Sequence, residues 1–420
     1  MNDSNAAQPS GPLPGRLMSL DVFRGATIAA MILVNNPGSG AIYAPLEHAD
    51  WHGWTFTDTV FPFFLWIVGV AIPLSVSRRL AAGQSRRELF LHGLRRAAII
   101  FALGLFLNSL SYLLNGSLFR LGLSEWLHTY LTNVRIPGVL QRIAVCYLAA
   151  LVIFLRHDWR GQIRWLVVLL FGYWALMAWA PFPVNVHGEW RYVSGLWEKG
   201  DNFAAYVDNL VFNGPRIGTH VWSVAKTWDP EGVVSTIPAI ATCLFGVLAG
   251  QWLRTPRSEA EKTAWLMVVS ALLMWAGQLW NFWVPINKPL WTSSYSVFMA
   301  GLAGLCMGVW YWLVDVQGWR KPFKPLAIYG MNAIAMFVLA GVLGRVLLEF
   351  KVTGADGAPV SLKAWLFQTC FARLGNPETS PLPSGLARPE NASLLWAVAF
   401  VSLLYLVAWG MYRKRWFIKF

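Results

Sequence analysis

Apolar runs of about 18 or more residues recur from one end of the chain to the other, and nothing else limits the fold as much. In hydrocarbon, such a run must satisfy its backbone hydrogen bonds internally, which makes each one an α-helix. The pattern predicts ten spans, near residues 18–34, 55–77, 93–113, 136–155, 163–180, 233–253, 263–284, 294–315, 325–347 and 391–412. Only 13% of the 420 residues are charged, about half the share of a soluble domain. The 25 Trp cluster at several span ends, as an interfacial belt requires. The predicted fold class is therefore all-α, a polytopic transmembrane helical bundle with the lipid bilayer as its main partner.

Charge gives the expected orientation. Connections on one side of the spans hold twenty Lys and Arg, from Arg16 and the Arg78, Arg79, Arg86, Arg87 group to Lys419. Those on the other side hold ten, spread over longer loops. The richer side is expected to be cytoplasmic, with both termini inside. The predicted organisation is a disordered tail over 1–15, without the basic segment of a signal peptide, and a transmembrane domain over 16–420. Outer loops are expected near 35–54, 114–134, 181–232, 285–293 and 349–390. The net charge of +13 does not indicate nucleic acid, because the basic residues lie between apolar runs rather than on one patch. Cys146, Cys243 and Cys306 fall inside spans, and with Cys370 they form no CxxC, which argues against a disulfide framework or zinc site. GxSxG, GxxxxGK[ST], HExxH and GxGxxG are absent, so the common hydrolase, nucleotide and zincin signatures find no support. Gly246 with Gly250, and Gly304 with Gly308, allow close helix packing and permit a homodimer.

Chemistry concentrates in EHADWHGWT, residues 47–55, wedged between the first two spans. His48 lies there with Glu47, Asp50, Trp51 and His52, flanked by Asn35 at the end of span one and Asp58 just inside span two. A carboxylate beside an imidazole raises its basicity and sets its tautomer, as a general base or acyl-accepting nucleophile needs. A solvated loop histidine is the bland alternative. His48 and His52 are four apart, but with no third ligand no metal is assigned.

Three further strings carry polar groups. Arg135 and Arg142 in RIPGVLQR lie on nearly one helical face, where a buried guanidinium needs a carboxylate, carbonyl or phosphate. Asp229, Pro230 and Glu231 in TWDPEGVV suit a helix N-terminus, with two acids left over for a cationic or hydroxyl-rich substrate. Asn287 and Lys288 in PINKPLW sit in an outer turn, as ligand or interface residues. Asn332 is polar within a span, as an interhelical hydrogen bond or pore lining would be. Asp21 and Arg24 are three apart and expected to pair.

Together, RLMSLDVFRG (16–25), EHADWHGWTFTDTVFPFFLWIVG (47–69), RIPGVLQRIAVCY (135–147), WDPEGVVSTIPAI (228–240), PINKPLWTSSY (285–295) and YGMNAI (329–334) resemble, in order, the heparan-α-glucosaminide N-acetyltransferase family and its bacterial homologues. The resemblance implies an enzyme of the bacterial inner membrane that moves acetyl from cytoplasmic acetyl-CoA to the amino group of a glucosamine-type sugar outside. It maps the family's catalytic histidine onto His48, with Asn35 and Asp58 as supporting polar residues. Within that picture, Glu47, Asp50, Trp51, Asp229, Glu231, Asn287 and Lys288 are expected at the sugar. Arg24, Arg78, Arg79, Arg135, Arg142 and Asn332 are expected at CoA. The rival readings are an amino-sugar secondary transporter and an O-acetyltransferase of an envelope polysaccharide.

Overall fold

The computed structural model describes residues 17–418 except 187, 188, 216, 355, 356, 382 and 384; the expected N-terminal tail lies outside the described residues. Fifteen α-helices make up almost all of the regular structure described. They are α1 (Met18–Asn35), α2 (Phe56–Ala81), α3 (Arg86–Leu114), α4 (Ser117–Leu121), α5 (Leu123–Asn133), α6 (Val139–Arg156), α7 (Trp159–Trp179) and α8 (Phe203–Phe212). There follow α9 (Val233–Leu253), α10 (Glu259–Trp280), α11 (Ser293–Trp310), α12 (Arg320–Met331), α13 (Ala333–Glu349), α14 (Leu362–Cys370) and α15 (Pro389–Arg413). A π-helical turn, Tyr311–Val316, continues α11.

Among the described residues, nine helices are long and apolar enough to cross a bilayer. The predicted span 325–347 is not one rod. It is the pair α12 and α13, bent by 69° at Asn332. The break coincides with new partners for that side chain: Asn332 Nδ2 donates to the Trp416 carbonyl (3.0 Å), and its Oδ1 accepts from the Ile418 amide (3.0 Å). The C-terminal segment is thereby strapped against the bend. Two expected loops are also more structured than the sequence suggests. Residues 114–134 contain α4 and α5, and 349–390 contain a short hairpin and α14.

Small residues set the core contacts. A Cβ on Gly69 would overlap the Cys243 carbonyl oxygen, and one on Gly246 the Trp66 carbonyl oxygen, so α2 and α9 cross backbone to backbone. Gly25 and Gly330 do the same for α1 and α12. Gly304 faces Ser270, and Gly308 faces Met267, on α10. Both glycine pairs noted in the sequence thus pack inside this chain, which removes them as an argument for a dimer. Around this centre, α3, α7, α10 and α15 present long apolar faces outward, as lipid-facing helices do.

One end of the bundle carries the His48 loop, α8, the turn between α10 and α11, and the short hairpin 182–186 with 189–193. The opposite end carries Arg24, Arg78 and Arg79. These are the His48 face and the Arg24 face below.

Candidate active site

Asp58 is the third residue of α2, and this local position explains its orientation. Its Oδ2 accepts from the amides of Thr55 (3.1 Å) and Ala49 (3.0 Å), the former being one half of a capping box. Its Oδ1 is then left for the His48 ring, with Nδ1 at 2.6 Å. An ionised carboxylate only accepts, so Nδ1 carries the proton and the Nε2 of neutral His48 keeps its lone pair. Pro62 contributes as well. Lacking an N–H, it leaves the Asp58 carbonyl without its helical donor, and the Tyr295 hydroxyl donates there instead (2.6 Å). Asp58 is buried on side chain and backbone alike, while His48 is half open to the cavity.

A second loop locks against the first. Asn287 is fully buried; its Nδ2 donates to the Trp51 carbonyl (2.8 Å), and its Oδ1 accepts from the Leu290 amide (2.8 Å). The Gly53 amide donates to the Ile286 carbonyl (2.7 Å). Trp291 is held at a positive φ of 49° with its indole N–H on Thr242 Oγ1 (3.1 Å). These ties bring Lys288 Nζ to 3.4 Å from His48 Nε2 and 3.5 Å from Asp58 Oδ1. It is also 3.1 Å from Nδ1, but that proton already points at Asp58. Burial lowers the Lys288 pKa from the ordinary lysine range, opposed by the Asp58 and Glu231 carboxylates.

A third group of charges borders the first two. Arg135 grips Asp229 with Nε (2.8 Å) and Nη2 (2.6 Å), and Nη2 also reaches Glu231. Burial disfavours this cation, yet the two carboxylates outweigh it and raise its pKa above the usual range. Asp229 does not cap α9 as the sequence suggests, and Pro230 lies outside the helix. The N-terminal amide of α9, Val233, is instead bound by Asp208 (2.9 Å), which also accepts from the Asp229 amide (3.2 Å). Burial pushes the Asp208 carboxyl up to about 7 despite those two amides. Arg142 is sealed below, with Nη2 on the Gly232 carbonyl (3.3 Å) and Ser235 Oγ, and its guanidinium over the Trp291 ring.

These groups surround a cavity of about 580 Å³ on the His48 face, walled by Trp51, Trp222, Trp228 and Trp291. Asn35, Asp50, Lys199 and Glu231 also line it. A second cavity, about 450 Å³, opens on the Arg24 face among Asp21, Arg24, Arg78, Arg79, His92, Arg96 and Tyr147. On α2 the first lining ends at Phe61 and the second begins at Phe64, about 4.5 Å apart along a helix axis. The linings are further apart on α1, from Arg24 to Met31, and on α6, from Val139 to Tyr147, so the two cavities approach most closely along α2.

The residues expected at the sugar and those expected at CoA fall largely, but not wholly, to different cavities. His48, Asp58, Asn35, Asp50, Trp51, Glu231 and Lys288 converge on the first cavity. Glu47 is exposed and outside its lining, while Asn287 and Asp229 are buried and spent on Trp51 with Leu290 and on Arg135. Arg24, Arg78, Arg79 and Asn332 line the second cavity, with Asn332 engaged by the C-terminal strap and Arg24 paired to Asp21 (3.0 Å). Arg135 lines the His48 cavity, and Arg142 lines neither. His48 and His52 lie on irregular backbone, so their spacing does not place them on one helical face. Sequence reasoning passed over Asp208, Lys199, Trp222, His92 and Arg96. Asp208 gave one signal, an acid within the apolar run FAAYVDNLVF.

These features define a polytopic helical membrane protein with a histidine–carboxylate site on one face and a basic cavity on the other. No family model matches the chain. It is 30% identical over 367 residues to human heparan-alpha-glucosaminide N-acetyltransferase, covering 78% of this chain and 53% of that protein. The mouse enzyme of the same name is 29% identical over 364 residues, covering 77% of this chain and 53% of the mouse protein. The chain belongs to the heparan-alpha-glucosaminide N-acetyltransferase family and spans about half the length of the curated relatives it matches.

Proposed function

We propose that the protein is a transmembrane N-acetyltransferase of a bacterial inner membrane. It carries acetyl from cytoplasmic acetyl-CoA to the amino group of a glucosamine-type sugar on the other side. The observation that carries this reading is the His48–Asp58 pair (2.6 Å) lining one cavity, with a basic cavity on the opposite face whose lining along α2 begins about one helical turn further on. A thioester and an amine that cannot cross a bilayer would meet there. The positive-inside bias assigns the Arg24 face to the cytoplasm.

The residues of the second cavity suit an anionic nucleotide. Arg78, Arg79 and Arg96 supply guanidinium forks for phosphate oxygens. Arg96 Nε is buried with no protein partner among the described residues, a donor that a phosphate would satisfy. On the His48 face, four Trp offer apolar surfaces to sugar rings, and Glu231 and Asp50 offer acceptors to hydroxyl or ammonium groups.

His48 Nε2 removes a proton from the sugar amine as its nitrogen attacks the thioester carbonyl. The C–N bond forms, the C–S bond breaks, and CoA departs as the thiolate. Asp58 stabilises the imidazolium between these events. Direct transfer is preferred to an acetyl-imidazole intermediate, because an acetylated Nε2 could no longer take the proton of the attacking amine.

Proteoliposomes loaded with acetyl-CoA and bathed in labelled glucosamine test the proposal. N-acetylglucosamine outside with CoA thiol inside is expected. Accumulation of unmodified sugar inside would favour a transporter, and a base-labile acetyl ester would favour O-acetylation.

A further inference from the structure

Acyl transfer places negative charge on the carbonyl oxygen as the amine attacks, and preformed donors aimed at that oxygen dominate many such reactions. Three amides of the His48 loop are already committed: Gly53 N–H to Ile286, and Ala49 and Thr55 N–H to Asp58. The Trp51 indole is committed to the Trp197 carbonyl (2.7 Å). Lys288 differs. Its ammonium lies against the His48 ring, 3.4 Å from Nε2 and 3.1 Å from Nδ1, and it lines the cavity.

We infer that Lys288 binds the thioester carbonyl oxygen and holds the oxyanion of the tetrahedral intermediate. This rests on the acetyltransferase reading above and changes the role of Lys288 from a sugar contact to a donor on the reacting carbonyl. The loop is built for this placement. Asn287, buried beside it, ties it to the Trp51 carbonyl, and Trp291 keeps a left-handed backbone three residues on, a conformation that costs free energy and persists where neighbours enforce it. In the step itself, the amine lone pair forms the C–N bond and the carbonyl π pair moves to oxygen, beside the Lys288 ammonium. His48 Nε2 takes the nitrogen's proton. The oxygen pair then re-forms C=O as the C–S bonding pair leaves with CoA sulfur, and the proton on His48 Nε2 passes to that thiolate. Lys288 gives up no proton overall. A donor–acceptor contact to Asp58 Oδ1 at 3.5 Å keeps it on station between turnovers.

The test uses the purified full-length protein in lipid nanodiscs, with acetyl-CoA and glucosamine, and follows thiol release. Lys288→Met is expected to lower kcat by about 10²–10³-fold with the glucosamine KM within about threefold. Lys288→Arg, which keeps the charge, is expected to stay within about tenfold of the wild-type kcat. Wild-type kcat in Lys288→Met, or a raised sugar KM at unchanged kcat, overturns the inference. Should Lys288→Met fail to fold, by its tryptophan-fluorescence melt, Lys288→Arg decides alone: kcat within tenfold of wild type supports the inference and a larger fall overturns it. The underlying reading fails separately, if the wild type releases no thiol or if His48→Ala releases it at the wild-type rate.

Discussion

His48 Nδ1 lies 2.6 Å from Asp58 Oδ1 across ten residues of sequence, because Asp58 sits in the first turn of α2 and its other oxygen is held by the amides of Ala49 and Thr55. The carboxylate thus does two jobs with two oxygens, closing the loop with one and orienting the imidazole with the other.

Loss of the base should be severe and loss of its orienting partner somewhat milder. His48→Ala is expected to reduce kcat by about 10²–10⁴-fold. Asp58→Asn keeps an acceptor for the loop amides but allows the other imidazole tautomer, so about 10²-fold or more should be lost. Thiol release by each purified variant, with its melting temperature measured alongside, checks both.

The basic cavity should respond to the cofactor and not to the sugar. Arg96→Ala removes a partly buried cation whose Nε has no hydrogen-bond partner among the described residues. It is expected to raise the KM for acetyl-CoA about tenfold or more, the loss of roughly one charge-assisted hydrogen bond, with the glucosamine KM unchanged. Equal shifts in both KM values would count against separate cavities for the two substrates.

Asp208 should make stability fall between mildly acidic and neutral pH. Its carboxyl is pushed up to about 7 in the folded protein, chiefly by burial, against a reference value of 3.8. Above pH 4 the unfolded chain releases this proton while the folded one keeps it. The folded state then binds more protons, and stability declines as pH rises until the folded carboxyl also ionises near 7. Asp208→Asn should flatten that part of the pH–stability curve, in thermal melts from pH 4 to 8. A wild-type curve rising over the same window would be the contrary result.

Adding one methyl group at the α2–α9 crossing should destabilise the bundle. In Gly69→Ala the new carbon overlaps the Cys243 carbonyl, and in Gly246→Ala the Trp66 carbonyl; in both, the obstacle is backbone. Overpacking of this kind costs about 1–3 kcal/mol or more. Both variants should melt lower than Gly172→Ala, where the added carbon meets nothing within 4 Å.

How much of this was readable beforehand depended on range. The spans were legible because apolar length is a local property, and the His48–Asp58 pair because both ends of it lie in one short segment ending in a capping position. The bend at Asn332 was not, since hydropathy continues unbroken across it and the backbone groups that bind its side chain, on Trp416 and Ile418, lie more than eighty residues away. Asp229 looked like a cap from its neighbours alone. Its actual partner, Arg135, is 94 residues distant, and the true ligand of the helix start, Asp208, belongs to a separate helix. The division of the arginines between two cavities was likewise hidden, because spacing along a helix reports its face but not what packs against it.

The close approach of the two cavities at Phe61 and Phe64 has a consequence for the cell. Two water-accessible hollows that nearly meet leave the permeability barrier of the membrane resting, at this point, on a few aromatic and aliphatic side chains. Trimming Phe61 and Phe64 to alanine is expected to weaken that barrier to protons and small ions.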